Sequence, residues 1–249
     1  MSDFLKQMRS SVLNRITERS MPEFMDIFSI KGPVIIAEVK FSSPSRGQIY
    51  TSAANHLEIA KEYYANGAAA LSVLTEPEYF AGNLTYLNDI SISLPQIPLL
   101  MKDFVLTKEQ IMLGKLNGAS AILLIVGFLS SRELEELYHF TLEIGLTPLI
   151  EIHSELELKA ALKLNPKLIG INNRDLSTLS IDMNTSRKLI DLIPEDVTVI
   201  CESGIDCAET LNEFSELGFD GFLIGTVFMK SHTPGIALRN LIQEVHHAS

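Results

Sequence analysis

Three glutamates, two lysines and an asparagine stand at the ends of short apolar runs. Glu38 and Lys40 close Pro-Val-Ile-Ile-Ala-Glu-Val-Lys, Lys102 closes Ile-Pro-Leu-Leu-Met-Lys, and Glu151 ends Pro-Leu-Ile-Glu. Asn172 ends Leu-Ile-Gly-Ile-Asn, and Glu202 ends Val-Ile-Cys-Glu. Taking an unpaired charge out of water is expensive. Each of these groups therefore either pairs with another charge or faces a cleft that uses it. The residue types admit several chemistries. A lysine can donate a proton or form a Schiff base. A pair of carboxylates can split a glycosidic bond.

Elements that would position these groups follow from the runs themselves. Short, β-branched apolar stretches bounded by Gly, Pro and Ser read as buried strands. They fall at 33–40, 69–74, 97–102, 121–126, 147–152, 168–172, 197–202 and 221–225. Helical spacing lies between them, at roughly 53–66, 82–93, 107–117, 131–144, 154–164, 184–192, 208–217 and 234–246. Three of these helices open on a capping box: Thr107 with Gln110, Ser130 with Glu133, and Ser154 with Glu157. Eight strand–helix units joined by short connections predict an α/β fold, a closed parallel (β/α)8 TIM barrel. A doubly wound open sheet is the alternative, but its Gly-x-Gly-x-x-Gly fingerprint is absent. Apolar residues at Phe4, Leu5, Met8, Val12, Leu13 and Ile16 add an N-terminal helix over 3–18. With no linker or low-complexity tract, residues 1–249 read as one domain, residues 1–32 being a helical extension.

Strand side chains alternate, so Val34, Ile36, Glu38 and Lys40 share a face, opposite Ile35, Ala37 and Val39. The same alternation groups Lys102 with Leu100, Glu151 with Leu149 and Glu202 with Ile200. All the charges then meet at the C-terminal rim, where this fold keeps its chemistry. Ser203-Gly204 and Gly225-Thr226 follow the last two strands. Glycine permits close backbone approach, and N–H groups at a helix start favour phosphate.

Composition sets the outer limits. The chain has 249 residues, 46% of them hydrophobic, and a net charge of −11. Such an acidic protein is expected to bind neither nucleic acid nor an anionic membrane, while a local cationic cluster could still take a small anionic substrate. Its two cysteines, Cys201 and Cys207, give no disulfide framework, and no apolar run reaches a membrane span. A cytoplasmic location is expected. Cys201 reads as a buried, inert thiol. The six histidines show no metal-ligand spacing, so no metal site is expected. His153 reads as a capping or solvent-facing residue, and Asp103 and Asp175 as loop hydrogen-bonding groups.

Seven blocks, in order, resemble the signatures of the indole-3-glycerol phosphate synthase family. They are Ile-Ala-Glu-Val-Lys-x-x-Ser-Pro-Ser-x-Gly at 36–47, Ser-Val-Leu-Thr-Glu-Pro-Glu-Tyr-Phe at 72–80, Lys-Asp-Phe at 102–104 and Pro-Leu-Ile-Glu-Ile-His at 148–153. Ile-Gly-Ile-Asn-Asn-Arg-Asp-Leu at 169–176, Glu-Ser-Gly-Ile at 202–205 and Leu-Ile-Gly-Thr at 223–226 complete the set. Thr226 stands where the family often has serine, and Met101 where it often has arginine. The resemblance implies closure of the indole ring of 1-(2-carboxyphenylamino)-1-deoxyribulose 5-phosphate, with loss of CO2 and water, in tryptophan biosynthesis. It implies no cofactor.

By resemblance Lys102 is the proton donor to the keto oxygen, its pKa lowered by a crowded cationic rim. Lys40 holds the carboxylate that leaves, Glu151 is the base, and Glu38 and Asn172 position hydroxyl and amine groups with support from Glu202. Arg174, Ser203, Gly204, Gly225 and Thr226 frame the phosphate. Phe80, Phe104, Leu123 and Leu176 form the aryl slot, and Ser43 and Pro44 belong to the first motif's substrate contacts. A monomer is expected, with a weak homodimer as the alternative. Competing readings are a phosphosugar aldolase or isomerase on the same barrel, a retaining glycosidase using Glu38 and Glu151, and a phosphate-ligand sensor without catalysis.

Overall fold

A computed structural model describes residues 21–30, 32–44, 47–49 and 55–247; the helix expected at 3–18 lies outside the described residues. Eight parallel strands close into a barrel in chain order, the first pairing with both the second and the last. They are β1 (Val34–Val39), β2 (Ala70–Leu74), β3 (Leu99–Lys102), β4 (Ala121–Ile125), β5 (Thr147–Ile152), β6 (Leu168–Asn172), β7 (Thr198–Glu202) and β8 (Gly221–Ile224). Each lies within two residues of its sequence-based bounds.

Helices alternate with the strands: α1 (His56–Ala65), α2 (Leu84–Ser93), α3 (Lys108–Leu116), α4 (Ser131–Glu143), α5 (Glu155–Ala161), α6 (Asn184–Leu189) and α7 (Ala208–Glu216). A four-residue helix, α8 (Thr226–Met229), precedes the last one, α9 (Pro234–His247). The capping boxes of α3 and α4 form as expected. At α5 the box is only half made. Ser154 Oγ accepts from Glu157 N, but the Glu157 carboxylate turns to His153.

The alternation along each strand divides the apolar residues into two cores. Outward residues such as Ile35, Ala37, Val39, Met101 and Cys201 pack with the helices. Inward residues, among them Ile36, Leu100, Leu123, Leu149, Ile200 and Leu223, fill the barrel. A 3-10 turn, Phe24–Ser29, which the sequence reading did not find, closes this inner core with Phe24 and Ile27. Each fully buried side chain of this size contributes roughly 1.5–3 kcal/mol. A barrel packed solid below leaves room for a ligand only above the last inward residues, at the C-terminal rim.

Candidate active site

The last inward residues of the odd-numbered strands are Glu38, Lys102, Glu151 and Glu202. Four side chains from alternate strands make one barrel layer, and here that layer is entirely charged. It floors a cavity of about 260 Å3 at the strand ends. Three of these residues, Glu38, Glu151 and Glu202, are almost fully buried.

Lys102 Nζ donates to Glu202 Oε2 at 2.5 Å and to Glu151 Oε2 at 3.3 Å. Glu38 accepts from Lys40 Nζ and, at 3.4 Å, from Ser72 Oγ. The Glu38–Lys40 pair thus forms and lines the cavity as well. Two glycines make space for this layer. A Cβ on Gly170 would lie 2.2 Å from Glu202 Oε1, and one on Gly225 would lie 2.7 Å from Glu38 Cβ. Glu202 Oε1, packed against Gly170, is buried and makes no hydrogen bond among the described residues.

The cavity wall carries four cationic and six acidic side chains. Its balance overturns the expectation of a lowered Lys102 pKa. Burial alone would lower it, but Glu202, Glu151 and Glu38 outweigh burial and raise it well above the ordinary lysine value. Burial also governs the carboxyls. Glu202 is pushed up to about 7 by burial, with Lys102 opposing and Glu151 reinforcing. At Glu151 burial is overcome by Lys102 and His153, which hold the carboxyl at about 2. Glu38 is lowered against burial by Lys40 and Lys102. The two carboxyls around Lys102 therefore act as a coupled pair in which one is ready to take a proton near neutral pH.

Beyond the charged layer the cavity divides in character. Phe80 and Phe104 are 6.3 Å apart between ring centroids and join Leu123 and Leu176 as an apolar wall. Asn172 and Arg174 line it from the end of β6, and Asn172 Oδ1 accepts the Arg174 N–H at 3.0 Å. Ser203 (φ 64°) and Gly204 (φ 98°) both adopt the left-handed conformation just after β7. A serine there is strained, and such strain gathers at functional loops. Gly225 caps α8, and Thr226 begins it. Asp103 accepts from Phe104 N, and Asp175 accepts from Ser177 N and Thr178 N, as expected of loop groups.

Every sequence-predicted site residue lines this cavity except Ser43 and Pro44. Those two sit beyond Lys40, where Ser42–Ser43 pairs with Gly47–Gln48; Ser43 is buried and Pro44 is exposed. The expectation for His153 also fails. It does not face solvent but packs behind Glu151. The sequence reading missed Glu76, Ile181, Asp206 and Lys230 in the wall, and Gly170 beneath Glu202. Lys230 had a findable signal, because it follows Thr226 by four residues, one helical turn. Gly170 had none, since a strand glycine shows no partner in sequence. No helix among the described residues is long and apolar enough to cross a membrane.

Solved structures share this fold at low identity. The chain matches 3-hexulose-6-phosphate synthase from Salmonella typhimurium with a TM-score of 0.68 at 8% identity, covering 87% of this chain and 100% of that one. It matches thiamine phosphate pyrophosphorylase from Pyrococcus furiosus with a TM-score of 0.61 at 14% identity, covering 86% and 96%. Such identities show the barrel alone. Sequence relatives say more. Indole-3-glycerol phosphate synthase of Aliarcobacter butzleri is 49% identical over 196 residues, 79% of this chain and 74% of that protein. The same enzyme of Aquifex aeolicus is 42% identical over 242 residues, 96% of this chain and 92% of that protein. The family model "Indole-3-glycerol phosphate synthase" matches residues 2–241, and the chain belongs to that family.

Proposed function

We propose that the charged layer is the catalytic centre of the family's reaction, the lyase step of tryptophan biosynthesis that makes indole-3-glycerol phosphate. The substrate, 1-(2-carboxyphenylamino)-1-deoxyribulose 5-phosphate, brings an aryl carboxylate, a keto group and a phosphate. One observation carries the assignment. Lys102 Nζ sits between Glu151 and Glu202 in a layer whose four residues all line the cavity.

Ring closure joins the carboxylate-bearing aryl carbon to the keto carbon, and negative charge develops on the keto oxygen. Lys102 supplies the proton. Its raised pKa does not forbid this, because an alkoxide is a far stronger base than an amine, so transfer becomes downhill as the bond forms. Lys40 holds the aryl carboxylate until it departs as CO2. Glu151, a carboxylate, then removes the ring proton as the hydroxyl leaves as water. Glu202, near 7, in its protonated form gives the departing hydroxyl the proton with which it leaves as water. Glu38 and Asn172 orient the substrate's hydroxyl and amine. Arg174, Ser203-Gly204 and Gly225-Thr226 receive the phosphate, and the Phe80–Phe104 wall takes the aryl ring. The whole chain acts as one domain, a cytoplasmic monomer with no cofactor.

The aldolase reading is the poorer fit. A Schiff base needs a neutral amine, and three carboxylates hold Lys102 cationic.

Indole fluorescence released from the arylamino-ribulose phosphate tests the assignment. Lys102→Ala should lower kcat by about 10²–10⁴ with substrate affinity nearly kept, and arginine should not rescue, because it keeps its proton. Lys40→Ala should instead raise KM, with partial rescue by arginine. Wild-type turnover in Lys102→Arg would refute the donor role, and turnover unaffected by either series would refute the site.

A further inference from the structure

Glu151 is held from two sides. Lys102 Nζ lies 3.3 Å from Oε2 on the cavity side, and His153 Nε2 lies 3.3 Å from Oε1 on the other. The second ring nitrogen, Nδ1, lies 3.2 Å from Glu157 Oε2. That same oxygen accepts the His153 backbone N–H at 2.8 Å. Glu157 is at the third position of α5, where Gln110 of α3 and Glu133 of α4 complete their capping boxes. Here the carboxylate gives up that bond and grips His153 from two sides.

A neutral imidazole has one N–H and one lone pair. Set between two carboxylates, it would direct a lone pair at one of them. Only the doubly protonated ring turns an N–H and a positive charge to both: Nδ1 hydrogen-bonds Glu157, while Nε2 meets Glu151 as a 3.3 Å ion pair without hydrogen-bond geometry. From this geometry we infer that His153, gripped by Glu157, is a positioning residue: as an imidazolium behind Glu151 it holds that carboxylate ionised and aimed. The inference rests on the reading of Glu151 as the base.

Its use follows from the order of steps. Lys102 gives up its proton during ring closure, and its charge then no longer supports Glu151. Burial would at that moment favour a protonated Glu151. His153 stays charged, so the base remains ready for the later dehydration. The surroundings agree. Among the described residues, Glu151 of β5 and Glu157 of α5 are the charged groups within ion-pair distance of the ring, and Gly127, which packs against Glu157, adds no charge. Although burial opposes it, the two carboxylates raise the ring to about 10. Across the cavity, Glu151 also faces Glu202 and, farther off, Glu38.

Nitrogen-15 NMR of the wild-type imidazole tests the charge state directly. A doubly protonated His153 at pH 8 is expected, and a neutral ring would overturn the inference. In steady-state kinetics, His153→Gln should move the acid-side midpoint of the kcat profile upward by about one pH unit, which is tenfold in proton affinity. It should lower kcat while KM stays within about twofold, since binding and ring closure are left to other groups. Glu157→Gln should act in the same direction but less strongly, and it decides the matter should His153→Gln fail to fold. An unshifted profile in a folded variant overturns the inference. Glu151→Gln separates the two ideas. If it is inactive while His153→Gln is normal, only the clamp fails. If it turns over normally, the base assignment fails and takes the clamp with it.

Discussion

Gly170→Ala should disable the charged layer without touching a charged residue. The added Cβ would lie 2.2 Å from Glu202 Oε1 and 3.3 Å from Leu149 Cδ1. Carbon and oxygen normally stay about 3.3–3.6 Å apart, so the carboxylate must retreat by roughly 1 Å. Leu149 blocks one direction, and Glu202 Oε2 is already 2.5 Å from Lys102 Nζ. The retreat therefore breaks or bends the Lys102 contact. A misplacement of that size at a reacting centre costs about 10²-fold in rate. Overpacking of this kind costs about 1–3 kcal/mol of stability. Both are measurable, the first as kcat by indole fluorescence and the second by urea unfolding. Glu202→Ala provides the control. With the carboxylate gone, adding Gly170→Ala should cost almost nothing, so the double-mutant cycle should show a coupling of at least about 1 kcal/mol. Wild-type kcat in Gly170→Ala, or stability effects that simply add, would refute the reasoning.

Two further outcomes follow from the same packing. Gly225→Ala should lower kcat as well as raise KM, because its Cβ would press on Glu38 at 2.7 Å and unseat the Glu38–Lys40 pair; an effect on KM alone would leave the glycine a phosphate contact only. Cys201, fully buried in the helix layer with its thiol pushed up to about 12 by burial, should react with a thiol reagent far more slowly than the half-buried Cys207, and labelling at equal rates in native protein would contradict the inward–outward register.

Barrel and rim were both legible in the chain. Short β-branched runs, regular helix spacing and capping pairs such as Thr107 with Gln110 are local signals. The strand period of two then decides facing from order alone, which puts Glu38, Lys102, Glu151 and Glu202 inside and Met101 and Cys201 outside. Closing eight such strands brings their inward ends to one place, so a site could be named before any contact was known.

Tertiary structure decided what depends on distance between remote residues. Lys102 meets its partners 49 and 100 positions away, and the sign of its pKa shift turned on whether acids or cations stood nearest. His153 follows Glu151 by two residues, the spacing of one strand face, but the sequence does not say whether its ring turns to solvent or to the carboxylate, and Glu157 looked like an ordinary capping residue until its carboxylate was found on the ring. Gly170 and Gly225 look like flexible points of a chain, yet each is a space shaped for a carboxylate from another strand. Sequence period fixes the direction of a side chain. The strength and sign of an electrostatic interaction depend on separation and burial, and those exist only once the barrel has closed.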